Sequence, residues 1–167
     1  MEEIWDLVDE GGNPTGVLYR RTSGDPIPHG LYFAVVEIWL RVGDSVLLTQ
    51  RHPDKWSGLM WEVSGGGVNR GERNTEAAVR EFYEETGIRL SEGDISLLGS
   101  MIRKKAMIYS YYAELKEIPD VVLQPSEVVS SRWMNGSEIE NFKPRLTSGT
   151  AERFELYRDK IFGKSKI

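Results

Sequence analysis

An α/β/α sandwich built on a mixed β-sheet, preceded by a short N-terminal β-hairpin, is the fold class this sequence predicts. Three observations point to it. Strand-like runs rich in β-branched and aromatic residues recur along the chain, helix-like segments are spaced between and after them, and glycine or proline turns separate the two kinds. The 167 residues suit one domain, 1–167, with room for a single sizeable core. Residues 1–30 are expected to form a hairpin-and-loop extension of that domain.

The elements follow in order. Ile4 to Asp9 reads as a short strand, the Gly11-Gly12-Asn13-Pro14 run as a turn, and Val17 to Arg21 as the returning strand. Thr22 to Gly30, with two prolines and two glycines, reads as a loop. Leu31 to Arg41 is a strand, Gly43-Asp44 a turn, and Ser45 to Arg51 the partner strand. His52 to Leu59 is a loop, and Trp61 to Val63 a short strand leading into a glycine-rich turn. Thr75 to Thr86 is a helix, with Asn74 as N-cap and Gly87 as C-terminal stop. Ala78 and Phe82 stand one turn apart on its core face. Strands follow at Ser96 to Arg103, Ala106 to Leu115 and Val128 to Met134. Ser137 opens a short helix with Glu140 three residues on, and Thr147 to Phe162 reads as a longer amphipathic helix.

Composition bounds the function. A formal net charge of −5 and a pI of 5.2 argue against broad nucleic-acid or anionic-membrane binding, which needs a basic face. No cysteine is present, which removes disulfides, thiolate metal sites and a cysteine nucleophile, and fits a cytoplasmic protein. The acidic N-terminus lacks the basic and apolar regions of a signal peptide, and no apolar run approaches the ~18 residues of a membrane helix.

The chemistry concentrates between Gly66 and Ile88, GGVNRGERNTEAAVREFYEETGI. Glu81, Glu84 and Glu85 occupy i, i+3 and i+4, so a helix carries all three on one side. Like charges so placed destabilise an isolated helix, whereas a hard divalent cation takes carboxylate oxygens and offsets the repulsion. A solvated acidic face is the plain alternative for any single helix. Here the spacing goes further: Gly66, five residues, Glu72, seven residues, then Arg80-Glu81-apolar-any-Glu84-Glu85-any-Gly87-apolar. With roughly 7% usage per residue type, a chance match in a chain this long is on the order of 10⁻⁷.

That pattern resembles the Nudix box, and the chain is identified as a member of the Nudix hydrolase (MutT-like) superfamily. The resemblance is carried by residues 66–88 and, more softly, by the order of the flanking elements. It implies the α/β/α fold and Mg²⁺ or Mn²⁺ held by Glu81, Glu84, Glu85 and the carbonyl of Gly65. It also implies a structural pairing of Arg80 with Glu72, with Arg80 holding a catalytic carboxylate in place. Glu127, before the strand that ends in Trp133, is a candidate metal ligand or general base. Arg51 and Arg103 are candidate phosphate contacts, because a guanidinium grips oxygens bidentately. Of the five tryptophans, Trp56 is the one expected to stack on a base and the rest belong to the core. His29 and His52 fit no metal spacing.

The WDLVDEGGNPTG, VVEIWL and WEVSGGG segments resemble in layout the branch containing isopentenyl-diphosphate isomerase. That enzyme uses a catalytic cysteine, which this chain lacks, and its box is usually degenerate, whereas this one is complete. Ser64 stands where many Nudix proteins have proline, a departure expected to leave the ligands untouched. The expected function is divalent-metal-dependent hydrolysis of a nucleoside diphosphate linked to a group X, or of another organic diphosphate, by attack of water on phosphorus. A non-catalytic module sensing a nucleotide or partner is the alternative class, and an RNA-directed enzyme ranks below both. Dimerisation is frequent in the superfamily, so a homodimer enters as an expectation.

Overall fold

The computed structural model describes residues 4–163. Among these, the strands are β1 (Ile4–Val8), β2 (Pro14–Arg20), β3 (Phe33–Val42), β4 (Ser45–Arg51), β5 (Trp61–Glu62), β6 (Gly65–Gly67), β7 (Ile95–Arg103), β8 (Ala106–Leu115) and β9 (Val128–Asn135). The helices are α1 (Asn74–Thr86), α2 (Gly136–Phe142) and α3 (Ser148–Phe162). β1 and β2 pair as a separate antiparallel hairpin. The large sheet is mixed: β3 runs parallel to β8 over ten residue pairs, and the other pairings are antiparallel. No helix among the described residues is long and apolar enough to cross a membrane.

Alternation along β3 builds two cores. Ala34, Val36, Ile38 and Leu40 face α1 and bury against Ala78 and Phe82, while Trp39 faces α3 and joins Phe154, Tyr157 and Ile161. Helices on both sides of one sheet make the sandwich. The β3–β4 pairing holds only at Arg41–Val46 and Val42–Ser45. Beyond that point the two strands part, β6 takes the place beside β3, and β4 pairs with β9 and β5. An open cleft is lined from both sides of this parting.

Several boundaries differ from the sequence reading. The glycine run is a strand, not a turn: Gly65, Gly66 and Gly67 pair with Glu37, Val36 and Val35. β2 starts at Pro14 rather than Val17, tolerated because the hairpin has no third strand to need a proline N–H. Asn74 is the first helical residue of α1, and the cap is Arg73, whose backbone N–H donates to Glu76 at 2.9 Å. α2 begins one residue early, capped by Asn135, and the box partner is Glu138 rather than Glu140. Thr147 caps α3 instead of opening it.

Candidate active site

Helix α1 packs so closely on β6 that glycine is required there. A Cβ on Gly66 would overlap the carboxyl group of Glu81, and one on Gly65 would overlap the Val36 carbonyl. At the far end Gly87 takes φ 71° and its N–H closes on the Tyr83 carbonyl at 2.8 Å, ending the helix one residue after the acidic cluster. The carboxylates of α1 therefore lie along the glycine strand on one wall of an open cleft of 980 Å³.

Arg80 is the hub of that wall. It grips Glu72 through Nε at 2.7 Å and Nη2 at 2.9 Å. Nη1 reaches Glu81 at 2.7 Å and Glu84 at 3.3 Å, and Nη2 donates to the Gly67 carbonyl at 3.1 Å. Glu72 also accepts the Asn69 N–H at 3.0 Å, which ties the loop before α1 to the helix. These bonds, to Glu72 first, hold the guanidinium well above its ordinary pKa. Lysine cannot reproduce the planar fork. Replacing Arg80→Lys is expected to lower stability by about 1–2 kcal/mol and turnover about tenfold, read by thermal denaturation and steady-state kinetics.

Glu85 differs from its neighbours. It is 4% exposed, accepts the Ser64 hydroxyl at 2.5 Å and the Gly65 N–H at 3.3 Å, and its pKa is pushed up to about 7. Burial is the main cause, opposed by the Ser64 hydrogen bond, with the nearby Glu62 charge adding to the rise. The expectation that Ser64 leaves the ligands untouched is thus corrected. Proline has no hydroxyl to offer, and this one orients a box carboxylate. Burial raises Glu62 as well, against the pull of Arg51.

Glu127 lines the same cleft, where it is ion-paired with Lys55 from the loop after β4. Arg51 also lines it, with Nη1 donating to Glu62 and Nε to the Trp56 carbonyl at 2.9 Å. It pins the loop that carries Lys55. Arg103 does not reach the cleft. It ties the β7–β8 hairpin to α3 through Glu152 at 3.0 Å and Ser148 at 2.7 Å. Trp56 is 70% exposed outside the cleft, with the Lys104 ammonium 5.2 Å from its ring centroid. Trp5, Trp39 and Trp61 are buried.

The sequence reading missed a second feature of the cleft. Glu37 of β3 is bound bidentately by Arg153 of α3, both bonds at 2.6 Å, and Glu37 Oε1 also accepts from Ser110 at 2.7 Å and Trp39 at 3.0 Å. This satisfied buried network fixes α3 against the sheet beside Gly65. A glutamate inside the apolar run VVEIWL was its only signal.

Among the described residues, no three acidic or imidazole side chains are gathered around one point. Arg80 draws Glu81 and Glu84 to itself, while Ser64 turns Glu85 toward β6. The donor chemistry nonetheless fits a hard cation. Glu81, Glu84 and Glu85 with the Gly65 backbone form an all-oxygen set on one wall, Glu127 stands on the same cleft, and Glu85 is buried where charge compensation is worth most.

Residues 28–158 match the NUDIX domain family. The chain is 28% identical over 145 residues to an uncharacterized Nudix hydrolase of Listeria monocytogenes, spanning 84% of this chain and 83% of that one. Its fold is similar to that of DR0079 from Deinococcus radiodurans, with a TM-score of 0.78 at 22% identity over 92% of this chain and 98% of that one. It is also similar to a bifunctional NMN adenylyltransferase/ADP ribose pyrophosphatase from Francisella tularensis, complexed with AMP and a Mn ion. That likeness has a TM-score of 0.65 at 19% identity over 77% of this chain and 42% of that one. With the complete box running from β6 through α1 and a family match across most of its length, the chain belongs to the Nudix hydrolase superfamily.

Proposed function

We propose that this protein is a divalent-metal-dependent hydrolase that cleaves a diphosphate bond in a nucleoside diphosphate linked to a further group X. One observation carries the reading. Three carboxylates of α1 stand along a glycine strand on an open cleft, Glu81 and Glu84 held by Arg80 and Glu85 by Ser64, a framework that a merely acidic surface would not need. Glu81, Glu84, Glu85 and the Gly65 carbonyl would hold Mg²⁺ or Mn²⁺. The metal would neutralise diphosphate charge and lower the pKa of a bound water.

The chain's own residues supply the rest. Glu85, with a pKa near neutrality, and Glu127 are the two groups suited to take the proton of the attacking water. Lys55, on the same cleft as Glu127, offers a cation to the phosphoryl oxygens. Arg80 and Ser64 position carboxylates and do not touch substrate. The Mn ion and AMP of the Francisella structure support both the metal and the nucleotide class.

A phosphate-release screen over nucleoside di- and triphosphates, nucleotide sugars, dinucleoside polyphosphates and prenyl diphosphates tests this, coupled to pyrophosphatase or phosphatase. Turnover of a nucleotide class with Mg²⁺ or Mn²⁺, abolished by EDTA, is the expected result. Metal-independent turnover, or folded protein silent across the panel, would overturn it.

A further inference from the structure

The β1–β2 hairpin lies outside the 28–158 stretch that matches the family, yet it closes one end of the cleft. It is docked firmly. The Arg70 N–H donates to the Ile4 carbonyl at 2.9 Å, Gly71 N–H to Asp6 at 2.9 Å, and Val8 bridges to Tyr32. Trp5 stacks on Phe33 with centroids 4.7 Å apart and planes 18° apart, and on Tyr19 at 6.0 Å and 17°. Phe33 is only partly buried and lines the cleft, so the stack presents an aromatic surface to it.

Polar groups converge on the same end. The Trp5 indole N–H, on a side chain more than nine-tenths buried, has no acceptor among the described residues. It is aimed at Gly67, where a Cβ would stand 2.9 Å from Nε1. Arg70 is exposed at the rim, and its guanidinium has no partner among the described residues. An unmet buried donor costs free energy that an acceptor on a ligand lying along Gly67 recovers.

Register gives the spacing. Gly67 pairs with Val35 and Gly65 with Glu37, so Phe33 and the Gly65 end of the cleft are separated by four residues of strand, about 13 Å. One end is aromatic and basic; the other carries the buried Glu85 and the Lys55–Glu127 pair. A diphosphate held at the carboxylate end would place a nucleoside base over the aromatic end.

We propose that the aromatic end of this cleft, completed by the N-terminal hairpin, is its specificity element, with Phe33 of β3, backed by Trp5 and Tyr19 of the hairpin, as the stacking platform for a planar nucleobase and Arg70 of the loop after β6 as its polar contact. X then lies toward Lys55. The assignment rests on the diphosphate-cleaving reading of the same cleft for the position of the phosphates.

The test is calorimetric titration of the full chain, with Mg²⁺, using α,β-methylene-ADP and methylenediphosphonate. These share the uncleavable phosphorus pair and differ by the nucleoside. Wild type is expected to bind the nucleoside compound at least about tenfold more tightly, the gain that stacking of one base supplies. Phe33→Leu and Arg70→Ala are each expected to narrow that ratio several-fold, through the nucleoside compound alone. No preference in wild type, or a preference that survives both substitutions, overturns the assignment. A preference that collapses in the variants of a protein silent in the turnover screen keeps the role of the aromatic end and removes the hydrolase reading. Metal-dependent turnover with a preference that survives removes only the role of the aromatic end.

Discussion

Glu84→Gln and Glu85→Gln are each expected to lower turnover a hundredfold or more, the scale of losing a metal-held carboxylate or a general base, with the fold intact. The two substitutions reach that result differently. Glu84 has its side chain 46% exposed and meets Arg80 only at 3.3 Å, so an amide there costs little stability. Glu85 is buried and its pKa is raised, so a neutral isostere removes a charge that the metal-free fold carries at a cost. Glu85→Gln should therefore be at least as stable as wild type in EDTA at pH 8, yet inactive with metal. A residue kept for the fold loses stability when replaced; one kept for chemistry against the fold's interest gains it. Steady-state kinetics and melting curves on the same two variants decide the matter. Full activity in both would remove these carboxylates from the reaction.

What the sequence made legible follows from where each constraint lies along the chain. Glu81, Glu84 and Glu85 share one helical side because i, i+3 and i+4 do so in any helix, and the Arg80–Glu72 grip spans only eight residues. The strands from Ser45 to Arg51 and Ala106 to Leu115 were legible from β-branched and aromatic content bounded by turns. The glycine strand was not, because glycine has no strand preference of its own and takes its conformation from β3. Pairings that depend on tertiary structure were equally hidden: Glu37 with Arg153 across 116 residues, and Lys55 with Glu127 across 72. Arginine was the hardest residue type to assign. Arg51 and Arg103 look alike in sequence, yet one pins a loop at the cleft and the other ties a hairpin to α3. Charge alone does not say whether a guanidinium meets substrate or protein.

Metal-free protein should lose stability as pH rises through neutrality, and Glu85 should be the cause. Its folded pKa of about 7 stands above the ordinary 4.5, so the folded chain holds that proton more tightly than the unfolded chain does. Folding then takes up a proton between those two values. The contribution is fully present below pH 4.5 and is lost as pH climbs through about 7. Its full extent is at most about 3–4 kcal/mol, since the shift from 4.5 to about 7 is worth about 1.4 kcal/mol per pKa unit. Other carboxylates titrate in the acid range, so the informative quantity is the difference between wild type and Glu85→Gln in EDTA. Denaturant melts from pH 5 to 8.5 should show that difference growing with pH in the variant's favour. Saturating Mg²⁺ should reverse the trend in wild type alone, because binding to the ionised carboxylate adds stability by mass action and the amide binds it poorly. A flat difference across the range would mean that Glu85 titrates as an ordinary carboxylate, and its burial beside Ser64 would then have no part in tuning the proton it holds.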